Sequence, residues 1–292
     1  MPGHTRIKSI LLFLAVSFCL PAQERPIDPT FLRRFVPSLK EKAADLTTST
    51  CRYKPIFGAG DPEARILRGI VRFGEISLDP GGASAEVEYA AEEQVYVVLE
   101  GEGILLYGAE KIPVREQDFA YLPPGIRHGV ANPSSRTCRL IVMGFRIPAG
   151  VRTVPPPKPL LANIGDVKKE VVASHPPTTL YQLLMGDTQS KRDKLAAANV
   201  LTSLFVMEFA PGGTNIPHHH EREEEIYLVL NGYGEMVAGC GMDGIEGRYP
   251  ARAGDAYFFR LNCTVGFYAG NKPGEEKARI LAVRSLFPSN SR

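Results

Sequence analysis

Apolar residues along this chain come in short runs, each cut off by glycine, proline or a polar cluster. Residues 70–78 and 200–209 are rich in β-branched and aromatic side chains and end in Asp-Pro-Gly-Gly and Ala-Pro-Gly-Gly. Residues 95–99 (Val-Tyr-Val-Val-Leu) and 226–230 (Ile-Tyr-Leu-Val-Leu) are apolar throughout, and x-Gly-x-Gly closes each of them. Further strands are predicted near 119–122, 139–145, 256–259 and 279–283. Short strands at regular spacing with turn residues between them predict an all-β sandwich or barrel.

The pattern is written twice. Residues 80–103 align without a gap on residues 211–234 at an offset of 131, and ten of the 24 positions are identical. The shared positions include Pro-Gly-Gly, a Glu-Glu pair, one tyrosine and Gly-x-Gly, so the chain contains a duplicated unit. Between the copies, residues 147–177 centre on Val-Pro-Pro-Pro-Lys-Pro, which resists helix and sheet interiors and reads as an extended connector. The expected domains are 23–154 and 155–292, the second including the connector. Phe31, Phe35 and Leu39 at four-residue spacing predict a short N-terminal helix over residues 28–45, packed on the first unit and kinked or divided at Pro37. Residues 187–198 read as a polar surface loop.

Residues 1–22 have the form of an export signal. Arg6 and Lys8 open it, residues 9–20 form an apolar run of 12, and Pro21-Ala22 offers a small residue for cleavage. The run is shorter than the roughly 20 residues that span a bilayer. The mature chain is therefore expected in the periplasm or outside the cell, with no membrane segment. The whole chain has 34 Lys and Arg against 32 Asp and Glu. Both excess cations lie in the signal, so the mature chain is balanced, which argues against nucleic acid as a partner. Four cysteines follow the signal. Cys51 with Cys138 and Cys240 with Cys263 is the simplest disulfide pairing, and buried free thiols are the other reading.

The strongest chemical signal is His218-His219-His220, followed by Glu225. Side chains two apart share one face of a strand, so His218 and His220 point one way and His219 the other. Glu225 opens the next apolar strand and can fold back beside the two rings, while Glu223 and Glu224 read as a solvated turn. Two imidazoles and a carboxylate that converge are donors for a divalent transition metal, with Fe, Mn, Zn and Ni all admissible. Tyr227 shares Glu225's face by period two.

From Gly212 to Gly232 the spacing is G(x)5HxH(x)4E(x)6G, which resembles the first motif of the cupins. The resemblance implies two tandem double-stranded β-helix (jelly-roll) barrels, a bicupin, with His218, His220 and Glu225 as metal ligands in the second. The second cupin motif normally supplies a further histidine. It is intact in the first half, from Pro123 through Gly125 and His128 to Asn132, whereas Val265 stands opposite His128 in the second half. Conversely, the first half has Val87, Tyr89 and Gln94 where two histidines and a glutamate belong. The resemblance therefore implies a metal-free first barrel with a degenerate pocket of His128, Tyr89 and Gln94. It leaves the second barrel with two histidines, one carboxylate and open positions, a set that suits non-haem Fe(II). Tyr257, Asn262 or a water would complete the shell, and Arg260 is a candidate to hold a substrate carboxylate. The implied function is a metal-dependent enzyme acting on a small polar or anionic molecule, of dioxygenase, isomerase, decarboxylase or aminohydrolase type. The competing reading is a non-catalytic binding or storage protein. A homodimer of chains is implied as well.

Overall fold

The structure is a computed structural model that describes residues 28–151, 153–172, 174–239, 246–272, 274 and 276–288. The stretch expected to be an export signal and Cys240 lie outside the described residues. So does most of the six-residue extension that the second half carries between 238 and 247.

Strands make up most of the described chain. The first ten are β1 (Phe31–Phe35), β2 (Cys51–Gly58), β3 (Ile70–Leu78), β4 (Glu92–Glu100), β5 (Glu102–Tyr107), β6 (Glu110–Arg115), β7 (Asp118–Leu122), β8 (His128–Ala131), β9 (Cys138–Arg146) and β10 (Leu160–Asn163). The remainder are β11 (Thr179–Asp187), β12 (Leu195–Ala198), β13 (Leu201–Phe209), β14 (Glu223–Asn231), β15 (Tyr233–Gly239), β16 (Glu246–Arg252), β17 (Asp255–Phe259), β18 (Thr264–Ala269) and β19 (Arg279–Leu286). Each barrel is a large sheet folded over a three-stranded one. The first combines β10-β7-β4-β9-β3-β2 with β6-β5-β8, and the second β1-β17-β14-β19-β13-β11-β12 with β16-β15-β18.

The fully apolar runs in β4 and β14 follow from burial on both faces. Val95, Val97, Ile226 and Leu228 join a core between the barrels, where Phe57 and Phe258 also meet with ring centroids 6.1 Å apart. The alternate residues line the lumens, Tyr96 and Val98 in the first and Tyr227 and Val229 in the second. Gly232 ends β14 with φ +71°, and a Cβ there would lie 2.7 Å from Ala278 Cα, so no other residue suits this turn of the repeat.

Period two also sorts the duplicated Glu-Glu pair. Glu224 points to the inter-barrel face and is fully buried, which corrects the solvated turn expected for it. Its carboxylate accepts the backbone N–H of Arg68 and Gly69 at 2.8 Å and of Ile70 at 3.2 Å. Burial pushes its carboxyl above the ordinary value, against these N–H bonds. Glu93 answers from the other barrel, accepting the N–H of Asn199 at 2.7 Å and of Val200 and Leu201 at 3.0 Å. A reciprocal clamp thus joins the halves.

The N-terminal helix expected over 28–45 is not formed. Its first part is strand β1, paired antiparallel with β17 of the second barrel, and one 3-10 turn, Val36–Ser38, follows it. An edge strand leaves a row of unpaired N–H and C=O groups, and β1 satisfies those of β17. In the opposite sense β10, from the connector, pairs with β7 of the first barrel. Each half therefore lends a strand to the other. The loop expected over 187–198 likewise ends in β12, which runs parallel to β11. Cys51 and Cys138 are buried free thiols. Both stand in register with Leu78 on the strand between them. Two strand spacings separate them, roughly 9–10 Å, beyond the reach of a disulfide. The Cys240–Cys263 pairing lies outside the described residues. No described helix is long and apolar enough to cross a membrane.

Candidate metal centre

The approach to β14 builds the centre. His218 forms an isolated bridge with Val265, its N–H donating to the Val265 carbonyl at 3.0 Å and its carbonyl accepting the Val265 N–H at 2.8 Å. Two residues earlier Ile216 adopts φ 56°, a left-handed conformation that β-branched residues rarely take. Its carbonyl meets His218 Nδ1 at 2.8 Å, which orients the ring and leaves Nε2 for a ligand. Asn262 donates its backbone N–H to the His220 carbonyl at 2.9 Å. The two rings stand perpendicular, at 88°, with centroids 4.9 Å apart. Glu225 on β14 then brings Oε2 to 3.2 Å from His220 Nε2.

One donor atom from each of His218, His220 and Glu225 lies within 4.8 Å of the others. Bonds of about 2.1 Å to a common ion would put neighbouring donors roughly 3.0–3.5 Å apart, so the His220–Glu225 separation fits. Both of those atoms are buried without a hydrogen-bond partner among the described residues. Unpaired buried polar atoms are costly, and an ion would satisfy both. Burial also holds the His218 imidazole below its ordinary value despite nearby Glu225, favouring the neutral form that binds metals.

Beside these donors lies a cavity of about 100 Å³, walled in part by His175, Tyr181, Ser203, Phe205 and Arg284. A larger cavity of about 680 Å³ runs between the barrels, but none of the three donors lines it. Arg284 stands in register with Glu225. Its Nη1 lies 3.3 Å from Glu223 Oε2 and its guanidinium 5.6 Å from the Phe205 ring centre. The His175 ring is 5.3 Å from that of His218, and its Nδ1 meets the Asn215 carbonyl at 2.6 Å.

Other residues singled out by the sequence are distributed as follows. His219 points outward beside Glu221 and is exposed. Tyr227 lines the cavity and accepts a hydrogen bond from Asn215 Nδ2 at 3.0 Å. Burial pushes its phenol well above 10.0, so it stays protonated. Tyr257 is buried in the lumen core, stacked on Phe259, and does not wall the cavity. Asn262 is exposed and touches the centre through its backbone alone. Arg260 also stands outside: its N–H binds the Thr30 carbonyl and its charge acts on Glu224. The cations at the cavity are Arg284, whose sequence signal is an arginine within the apolar run 279–286, and Arg192, and His175 is a further residue that motif spacing missed.

The first barrel holds the same positions with other contents. Val87 bridges His128 as His218 bridges Val265. The His128 ring lies 5.8 Å from Tyr89 and 5.5 Å from Tyr96, with Nδ1 at 2.8 Å from the Ile126 carbonyl. Tyr89 donates its hydroxyl proton to Asp45 at 2.7 Å, and Arg72 donates to both at 2.8 Å. Burial would raise the Asp45 carboxyl, but the bonds from Arg72 and Tyr89 outweigh it and hold the group low. Gln94 is fully buried, with Nε2 donating to Glu92 at 2.9 Å.

A family model described as Cupin domain matches residues 74–144 and 205–284. No curated protein matches the sequence. Among solved structures, a Pseudomonas aeruginosa protein described as glyoxylate-induced aligns over 94% of this chain and 94% of its own, with 19% identity and a TM-score of 0.68. The E. coli protein YlbA aligns over 93% of this chain and 97% of its own, with 14% identity and a TM-score of 0.66. An oxalate decarboxylase of Lactobacillus farciminis, solved with formate, aligns over 88% and 86%, with 13% identity and a TM-score of 0.63. At such identities the likeness is one of fold.

Proposed function

The chain belongs to the cupin family as a tandem bicupin, and from that premise we propose that its second barrel is a metal-dependent active site for a small polar or anionic molecule. His218, His220 and Glu225 are the ligands in this reading. The observation that carries it is a pair of buried atoms with no hydrogen-bond partner among the described residues, His220 Nε2 and Glu225 Oε2, 3.2 Å apart at the wall of a cavity. A divalent ion bound there supplies Lewis-acid or redox chemistry. The chain's own groups supply position and protons. The Ile216 carbonyl orients His218, and the Tyr227 phenol stays protonated at the cavity wall. Val265 offers no donor where a cupin would have its last histidine, so coordination positions stay open to substrate.

The missing donor also favours a second reading, a barrel that binds its ligand without turnover. Chelation separates the two: turnover that disappears with the metal and returns on its addition belongs to an enzyme alone. The metal itself is tested by thermal unfolding with excess Fe(II), Mn(II), Zn(II) or Ni(II). At saturations near 100 times Kd, wild type should rise by on the order of 5–10 °C, and His220→Ala should not respond. No rise with any of the four ions contradicts the reading. Residues 1–22 are proposed as a cleaved export signal, testable by the N-terminal sequence of the secreted form.

A further inference from the structure

Strand register sets a row of side chains across the second lumen. Glu225 on β14 stands opposite Arg284 on β19, and Arg284 stands opposite Ser203 on β13. Alternation gives all three the lumen face, since Phe205 and Met207 follow Ser203 at even steps and Ile280 and Ala282 precede Arg284. Ser203 is fully buried at the cavity wall, and its hydroxyl has no hydrogen-bond partner among the described residues. Arg284 reaches Glu223 through Nη1, while its Nε is buried 4.0 Å from Glu225 Oε1 with no hydrogen-bond partner among the described residues. A hydroxyl and a guanidinium N–H left unpaired at one cavity are costly, and together they match an anion with two oxygens.

The first barrel carries such an anion of its own. At the repeat offset Arg72 occupies the position of Ser203, and by strand register Gly144, paired with both Arg72 and Gln94, stands where Arg284 pairs with Ser203 and Glu225. Arg72 binds Asp45 Oδ2 at 2.8 Å, and Tyr89, at the position of His220, binds the same oxygen at 2.7 Å. The segment before β2 thus fills the first barrel's mouth with a carboxylate. Before β11 the corresponding segment brings His175 to the cavity wall instead.

We infer that the second cavity takes a small carboxylate, gripped by Arg284 and Ser203 while it lies against His218, His220 and Glu225. The inference rests on the metal reading above, because Glu223 and Glu225 repel an anion unless a divalent cation and Arg284 reverse the local charge. A cavity of about 100 Å³ limits the molecule to a few heavy atoms.

The test uses full-length mature protein loaded with manganese, assayed first for metal content and then titrated with glycolate and with its uncharged amide, glycolamide. Wild type should bind glycolate at least roughly tenfold more tightly than glycolamide, the scale of one charge-assisted bond. Arg284→Met should keep its manganese and lose that preference, Arg284→Lys should keep part of it, and Ser203→Ala should lose a few-fold in glycolate affinity. A wild type that holds manganese but binds the two compounds alike, or neither, overturns the carboxylate inference and leaves the metal reading standing. A preference that survives Arg284→Met overturns it too. A wild type that takes up no manganese sinks the metal reading, and this inference with it.

Discussion

Taken position by position, the second lumen carries His218, His220, Glu225 and Arg284 where the first carries Val87, Tyr89, Gln94 and Gly144. The first set is closed only in part, since Arg72 Nε, Gln94 Oε1, Tyr96 Oη and His128 Nε2 are buried with no hydrogen-bond partner among the described residues. Tyr89, Arg72 and Asp45 satisfy one another, and His128 is packed between two tyrosine rings. In the second set His220 Nε2, Glu225 Oε2, Ser203 Oγ and Arg284 Nε lack hydrogen-bond partners as well, and their residues border a cavity of about 100 Å³. Outside the lumens the halves stay alike, with the same Gly-x-Gly and the same buried glutamate reaching across. Duplication here preserved what holds two barrels together and let the lumens diverge, one toward a filled interior and the other toward an open one.

The shared part of this comparison should give the largest effect. Glu224→Ala leaves three buried backbone N–H groups unpaired, and Glu93→Ala does the same on the other side. Each should cost about 3–5 kcal/mol in urea unfolding. Nearly equal costs would support a reciprocal clamp. A harmless substitution at either site would break it.

The filled lumen should show itself in pH dependence. Burial holds His128 below 6.5. An imidazole depressed in the folded state takes its proton more readily when unfolded. Its contribution is therefore complete above pH 6.5 and is lost as pH falls through the folded value. Between neutrality and about pH 5, wild type should lose urea stability more steeply than His128→Phe. Parallel curves would mean that His128 does not titrate against folding.

The smallest effect is expected at His219. It lies between two proposed ligands in sequence but points outward, 57% exposed. His219→Ala should leave metal content and stability within about 0.5 kcal/mol of wild type. Metal loss in this variant would mean that the alternation of faces has been misread.

Much of this was legible in the sequence because it is local or repeated. Gly-x-Gly, Pro-Gly-Gly and the apolar runs mark turns and strands directly, and the offset of 131 carries Val87, Tyr89 and Gln94 onto His218, His220 and Glu225. What escaped depends on pairing between distant segments. Phe31, Phe35 and Leu39 fit a helix period, and only the open edge of β17 makes residues 31–35 a strand. Glu224 looks like a turn residue until its face is known to meet the other barrel. Arg260 was singled out from motif alignment, whereas Arg284 gains its importance from standing opposite Glu225 across β14 and β19. Alternation already groups Arg284 with Ile280 and Ala282, but nothing local says which face is the lumen.

The contrast between a filled and an open barrel is tested most directly by counting metal. Elemental analysis of the purified protein should find one divalent transition metal per chain, absent from His220→Ala and retained in His128→Ala. Two metals per chain, none, or one that is lost with His128 and kept without His220, would contradict the account.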